Sequence, residues 1–301
     1  MKNLIIALLG GGVKGLITTR LWIRITQEFP DLLDKVFLIA GTSIGAAIGA
    51  GLCFGKEPKD IEILLYEGME DALKDSIWDD VKDLGGLVGA EYSSFNLFDI
   101  YQKTFGNLKM REAKIPFVAT TYDLLSRKPK IFETLTGADD EFWVTDVITG
   151  SGAAPLAFDA WNVYEPKRMT LFDGGVLAVD PTDCGIAQAR DPRNINGVLD
   201  PKDMRILTIG TGMTIHEKRE KVDGDWGLIT MAQNIEELLI DSKSQITQFK
   251  TKQEYGEKYY HLDATIPQPG IKPNDWQARD ELLQIADDHD LTETRDWLRK
   301  G

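Results

Sequence analysis

The chain has 301 residues, enough for two domains, but its 43% apolar and 27% charged residues are equally typical of one large soluble α/β domain. Its formal net charge of −14 argues against a nucleic acid as a partner and against broad electrostatic adhesion to an anionic membrane. Residues 1–50 differ, with five basic and three acidic side chains. We therefore expect a membrane substrate to be met by a local apolar patch. The two cysteines are too few for a disulfide framework, which favours a cytoplasmic protein.

Short apolar runs alternate with helix-like stretches along the chain. The runs predict buried parallel strands at residues 4–9, 36–40, 116–123 and 205–210. Helices are predicted at 13–28, 44–53, 58–72, 97–104, 142–150 and 228–250, and one or two amphipathic helices after residue 275. Residues 128–134 are expected to form a hairpin with 116–123. This alternation predicts one domain with a mostly parallel sheet wrapped by helices.

Two segments need separate interpretation. LIIALL after Lys2 is too short for the apolar core of a signal peptide and has no suitable cleavage site behind it, so we assign it to the first strand. Residues 75–95 have no clear period, which fits either a mobile lid or an ordinary surface loop. No segment approaches the roughly 18–20 uninterrupted apolar residues of a membrane span.

A glycine-rich loop, GGGVKG at residues 10–15, follows the first strand. Gly10, Gly12 and Gly15 satisfy the G-x-G-x-x-G pattern of dinucleotide-binding proteins, but the same loop could offer backbone N–H groups to an oxyanion. A dinucleotide site needs an acidic residue at the end of the second strand, and residues 39–43 contain none. Lys14 also lies outside the position that a phosphate-binding loop requires. We therefore expect no nucleotide cofactor.

The second strand leads into GTSIGA, in which Gly41, Ser43 and Gly45 form a G-x-S-x-G sequence before an apolar helix. A serine in this context is typical of a nucleophile elbow, a sharp turn that exposes the hydroxyl at the N-terminus of the helix. The alternative is an ordinary strand-to-helix turn that Ser43 caps.

A nucleophilic serine needs a base. Asp173, followed by Gly174 and Gly175, could take the proton directly if burial raised its pKa, although an ordinary Asp-Gly turn gives the same sequence. A triad of Ser43, Asp173 and either His216 or His261 is formally possible. No metal site is predicted, because DGDWG at residues 223–227 lacks the remaining ligands of a calcium loop.

The three motifs GGGVKG, GTSIGA and DGG, in this order, resemble the patatin-like acyl hydrolases and phospholipases. Further similar segments are TTYDLLSRKPKIFET (120–134), GSGAAPLAFD (150–159), ILTIGTG (206–212) and KYYHLDATIP (258–267), so that the resemblance covers roughly residues 4–267. It implies a three-layer α/β/α fold with a catalytic domain at 1–267 and a helical tail at 268–301 packed on it.

The resemblance also implies a chemistry. Ser43 would be the nucleophile of a Ser-Asp dyad and Asp173 its base. The oxyanion hole would come from residues 11–14, chiefly the N–H groups of Gly11 and Gly12, with Val13 and Lys14 beside them. The expected function is cofactor-independent hydrolysis of phospholipid or other acyl-ester lipids at a membrane surface. The alternative is a lipid-binding or activator-gated protein of the same fold with little resting activity.

Overall fold

The computed structural model describes residues 2–73, 90–155, 157–214 and 228–300, and the side chains of 228–241 are left out of that description. The strands are β1 (Leu4–Leu8), β2 (Val36–Thr42), β3 (Phe117–Asp123), β4 (Lys128–Glu133), β5 (Trp161–Val163), β6 (Met169–Asp173), β7 (Arg205–Ile209), β8 (Met213–Thr214), β9 (Tyr259–Leu262) and β10 (Thr265–Ile266). The helices are α1 (Gly15–Glu28), α2 (Ile44–Cys53), α3 (Pro58–Ala72), α4 (Ser94–Phe105), α5 (Val144–Gly152), α6 (Gly175–Ala178), α7 (Thr182–Ala189), α8 (Leu228–Tyr255), α9 (Arg279–Asp288) and α10 (Thr292–Arg299).

The main sheet has the strand order β5-β6-β3-β2-β1-β7-β9, with β4 paired to β3. The four predicted apolar strands are neighbours in the order β3-β2-β1-β7, and all their pairings are parallel, as predicted. The predicted hairpin is also confirmed, since β4 pairs with β3 in the antiparallel sense. The sheet is mixed but mostly parallel.

Both faces of the sheet are covered. Successive side chains of β1 point to opposite faces, so that Ile6 belongs to a large hydrophobic cluster with α1 and α2, whereas Ile5 belongs to a smaller cluster with α7. Every residue of β1 is buried, as expected for a strand between two helical layers. The continuous apolar sequence of the strand follows from this double burial.

Two strands with opposite directions share one edge of β3. β4 pairs along the other edge, with Val118 through Asp123. On the shared edge, Thr42 at the end of β2 lies opposite Thr120, and Asp173 at the end of β6 lies opposite Thr121. Because β2 is parallel and β6 antiparallel to β3, their C-terminal ends meet. This junction determines the position of the candidate site.

Several predicted features lie outside the described residues. They are most of the lid-like stretch 75–95, His216 and the DGDWG segment at 223–227. Within the described ranges, none of the helices combines the length and the apolar character needed to cross a bilayer.

The last helix, α10, packs on the core through Trp297. Its ring stacks on Tyr260 with a centroid separation of 5.7 Å, and the guanidinium of Arg205 lies 4.0 Å above it. The indole N–H donates to the Glu257 carbonyl at 2.8 Å. The contacts with Tyr260 and Arg205 join α10 to β9 and β7. The division at residue 267 stays a prediction.

Replacing this anchor tests how strongly the C-terminal helices support the fold. We expect Trp297→Ala to lower the free energy of unfolding by about 3 kcal/mol, since it leaves a cavity beside Tyr260 and removes the indole hydrogen bond. Urea unfolding followed by circular dichroism measures the change. Tyr164→Ala is the control, because Tyr164 is 71% exposed, and its effect should stay within about 0.5 kcal/mol. Equal effects of the two substitutions would contradict the anchoring role.

Candidate functional site

Ser43 lies at the turn between β2 and α2 with a strained backbone. Its φ of 56° and ψ of −125° fall in a region that residues with a side chain rarely adopt. The close packing around the turn depends on glycine, because a Cβ on Gly41 or Gly45 would come within 3.0 Å of backbone atoms. For Gly45 these atoms include the Leu8 carbonyl of β1. The geometry agrees with the elbow that G-x-S-x-G predicts.

A second serine holds this turn from the side. The Ser151 hydroxyl, at the end of α5, accepts the backbone N–H of Ser43 at 2.9 Å and donates to the Thr120 carbonyl at 2.8 Å. Ser151 is fully buried. Sequence reasoning assigned no role to it, although it lies in the segment 150–159 that resembles the family. Its two hydrogen bonds tie the elbow to β3.

Asp173, the last residue of β6, is 5% exposed. Its carboxylate accepts the N–H of Gly175 at 2.6 Å, and its own N–H donates to the Ala153 carbonyl at 2.9 Å. The Tyr101 hydroxyl is fully buried, and burial, together with the nearby Asp173 carboxylate, raises its pKa. Asp173 is therefore a buried acid at the end of its strand, in the same junction as Ser43.

Gly10 brings the glycine loop against the elbow and against Val179, which follows the Asp-Gly-Gly turn. A Cβ added to Gly10 would lie 3.2 Å from the Cβ of Ser43 and 3.4 Å from a methyl of Val179, and the Gly10 N–H donates to the Val179 carbonyl at 3.0 Å. Gly174 approaches β3 equally closely, since a Cβ there would come within 3.0 Å of Thr120. Glycine at both positions lets the loop, the elbow and the Asp-Gly-Gly turn make contact.

Of the four residues predicted to donate to the oxyanion, two already use their backbone N–H groups in hydrogen bonds within the protein. Val13 donates to the Pro273 carbonyl at 2.8 Å, and Lys14 donates to the Gly11 carbonyl at 3.3 Å. Gly12 has a φ of +58° and packs against Pro273. Among the described residues, the N–H groups of Gly11 and Gly12 donate to no other group.

His261 does not join this site. It lies on β9, three strands away from β2 and level with Ala40, a separation of about 14 Å at 4.8 Å per strand. Its Nε2 is 3.5 Å from a carboxylate oxygen of Asp263. A triad through His261 is therefore not supported. Within the parts of the chain that the structure describes, no cluster of His, Cys, Asp and Glu could hold a metal ion.

A sequence model of the family described as Patatin-like phospholipase matches residues 6–184, more than half of the chain. The chain belongs to the patatin-like phospholipase family. The matched range contains all three motifs of the junction. A mostly parallel sheet flanked by helices is the patatin fold, as the sequence predicts.

Individual relatives of this patatin-like chain are distant. Patatin-like protein 4 of Arabidopsis thaliana is 25% identical over 302 residues, covering 86% of this chain and 75% of that protein. A protein of Escherichia coli named cGAMP-activated phospholipase is 27% identical over 228 residues, covering 69% of this chain and 61% of that protein. The solved structure of VipD from Legionella pneumophila aligns with a TM-score of 0.46 at 12% identity, over 96% of this chain and 67% of VipD.

The role of Ser151 can be tested against a matched serine. We expect Ser151→Ala to lower the free energy of unfolding by about 1–3 kcal/mol, because the substitution leaves the part-buried N–H of Ser43 and the buried Thr120 carbonyl without their partner. Ser94 is also fully buried in a helix, but its hydroxyl has no hydrogen-bond partner. Ser94→Ala should therefore be neutral or stabilising. Urea unfolding measures the free energy of unfolding of both variants. Equal destabilisation would contradict the role of Ser151 in supporting the elbow.

Proposed function

We propose that this patatin-like protein is a lipid acyl hydrolase in which Ser43 is the nucleophile and Asp173 the general base. The observation that carries the proposal is the junction on one edge of β3, where the C-terminal ends of β2 and β6 meet. It brings a serine on a strained turn next to a buried carboxylate. Membership of the family supports hydrolysis of a phospholipid or related acyl ester.

The proposed reaction needs no cofactor. The Ser43 hydroxyl attacks the ester carbonyl carbon while its proton passes to the Asp173 carboxylate. The tetrahedral oxyanion accepts hydrogen bonds from the N–H groups of Gly11 and Gly12 in the glycine loop. Collapse breaks the ester C–O bond, and Asp173 returns the proton to the departing alcohol or lysolipid. Water, deprotonated by Asp173, then hydrolyses the acyl-serine, and the released serine recovers its proton.

Two observations favour a gated version of this enzyme as the second candidate. The Pro273 carbonyl accepts the Val13 N–H, so a segment 260 residues further along the chain is bonded to the proposed oxyanion loop. The Escherichia coli relative carries a name that describes activation by a small molecule. In this version the loop becomes competent only after a ligand or partner shifts residues near Pro273.

A fluorophosphonate probe and mixed-lipid vesicles distinguish these candidates. We expect the wild type to be labelled at Ser43 and to release fatty acid, and Ser43→Ala to lose both, with turnover lower by about 10⁴-fold or more. Ser244→Ala on α8 is the control and should label and turn over like the wild type. Labelling that persists in Ser43→Ala would disprove the nucleophile. A wild type that is neither labelled nor active would favour the gated candidate.

The base is tested by a substitution that preserves shape. Asp173→Asn keeps an oxygen that can accept the Gly175 N–H, but it removes the group that takes the serine proton. We expect fatty-acid release to fall by about 10²–10⁴-fold. Asp146→Asn is the matched control, because Asp146 is a partly buried carboxylate that accepts a hydrogen bond from the Trp161 indole; its turnover should be unchanged. Wild-type turnover by Asp173→Asn would exclude the dyad.

A further inference from the structure

Two hairpin turns extend beyond the strand ends that form the candidate site. β3 continues three residues past Thr120, the partner of Thr42, which amounts to about 10 Å at 3.3 Å per residue. β6 begins four residues before Asp173, so the β5–β6 turn lies about 13 Å past that residue on the same side. We name residues 124–129 and 164–168 the tip surface; they are the two turns together with the first two residues of β4.

The tip surface combines exposed apolar and basic side chains. Every residue in its two segments is exposed, and the large apolar members are Leu124, Leu125 and Tyr164, which are 38%, 57% and 71% exposed. The segments LLSRKP and YEPKR together carry four basic residues and one acidic residue, in a chain whose net charge is −14. This local charge is opposite to that of the molecule as a whole.

The cations of the tip surface are available to a partner. Within the described ranges, Arg127, Lys128, Lys167 and Arg168 form no ion pair. The loop at residues 191–200 offers a contrast: it also exposes apolar side chains, but its Arg193 is paired with Asp191. Unpaired cations beside exposed leucine and tyrosine are the combination expected of a surface that meets anionic lipid.

Asp123 holds the two turns together. Its carboxylate accepts the N–H groups of Leu125 at 3.1 Å and Ser126 at 3.3 Å in the first turn, and that of Thr170, next to the second, at 3.3 Å. Burial alone would raise the pKa of Asp123, but a hydrogen bond from the Ser126 side chain, together with the three backbone N–H groups, outweighs burial and leaves the pKa lowered. The first turn is therefore tied to β3 and β6 before any partner binds, which reduces the entropic cost of docking.

We propose that the tip surface docks the protein on an anionic phospholipid bilayer, with Leu124, Leu125 and Tyr164 in the interface and the four cations facing the lipid headgroups. The proposal rests on the proposed hydrolase function, because it explains how an acidic protein brings Ser43 to a membrane-bound ester. It names the partner as a lipid surface with negative charge. Both tips extend beyond Thr42 and Asp173 on the same side of the sheet. Docking would therefore bring the candidate site toward the bilayer.

Sedimentation with vesicles tests the docking apart from the chemistry. The full chain carrying Ser43→Ala is mixed with vesicles of phosphatidylcholine alone or of phosphatidylcholine with phosphatidylserine. We expect tighter binding to the mixed vesicles, weakened by added salt. In the same background, Lys128→Gln with Lys167→Gln should weaken binding by about fivefold per lysine. Leu125→Ser should weaken it by about tenfold.

Matched controls come from the opposite end of the strands. Lys2 and Lys202 are exposed and lie beside the starts of β1 and β7, and Ile195 is 71% exposed, its N–H bonded to the Leu135 carbonyl that follows β4. Lys2→Gln with Lys202→Gln, and Ile195→Ser, should leave vesicle binding within about twofold of the starting protein. Equal weakening by control and tip variants, or tip variants that bind normally, would overturn the proposal.

The docking and the hydrolase function fail in distinguishable ways. Fluorophosphonate labelling of Ser43 in solution should be the same in the tip variants as in the wild type, since no tip residue belongs to the proposed catalytic group. Normal labelling without vesicle binding by the wild type would overturn the membrane surface and leave the hydrolase. Vesicle binding that depends on the tips, without labelling or fatty-acid release, would support the surface, count against an enzyme that is active at rest, and favour the gated candidate.

Discussion

The candidate site depends on which strands form hydrogen bonds with the backbone of β3. One edge of β3 is occupied by β4, and the other is divided between β2 at residues 117–120 and β6 at residues 121–123. Because every position of β3 has a partner on that divided edge, few of its backbone groups are left without a hydrogen bond. The strand on the second part must be antiparallel for its C-terminal end to meet that of β2. The direction of β6 thus brings Asp173 beside Ser43.

The junction can form because small residues remove the side chains that would separate its parts. Gly10 lies between Ser43 and Val179, and Gly174 lies against Thr120. The Thr120 hydroxyl is hydrogen-bonded to that of Thr42 at 2.7 Å. Four segments that are distant in sequence, at residues 10, 42–43, 120 and 174–179, therefore pack with their backbones in close contact. A side chain at position 174 would displace the backbone of β3, because its Cβ would lie 2.4 Å from the Thr120 carbonyl oxygen, and one at position 10 would press on the Ser43 Cβ at 3.2 Å.

Much of this arrangement is predictable from the sequence, but the short strands and the long-range contacts that complete the site are not. The strands β1, β2, β3 and β7 are continuous apolar runs, since both of their faces are buried, and GTSIGA indicates the elbow locally. The missed strand β5 has only three residues, and β6, although as long as β1, is buried only at alternate residues and so lacks a continuous apolar run. Ser151 has no local signal, because its partners Ser43 and Thr120 are set by tertiary contacts. The bond from Val13 to Pro273 spans 260 residues and leaves no pattern in either segment.

The contacts around Ser43 hold its backbone in an unfavourable conformation. A non-glycine residue at φ 56° costs on the order of 1–3 kcal/mol and persists only when its neighbours enforce it. Ser151 bonds the N–H of Ser43, while the Ser43 carbonyl accepts the N–H groups of Ala46 and Ala47 in the first turn of α2. With both backbone groups engaged, the elbow cannot relax by a local rotation without breaking bonds to α5 or α2. Only the side chain is left to face the glycine loop, which is the orientation that attack on an ester would require.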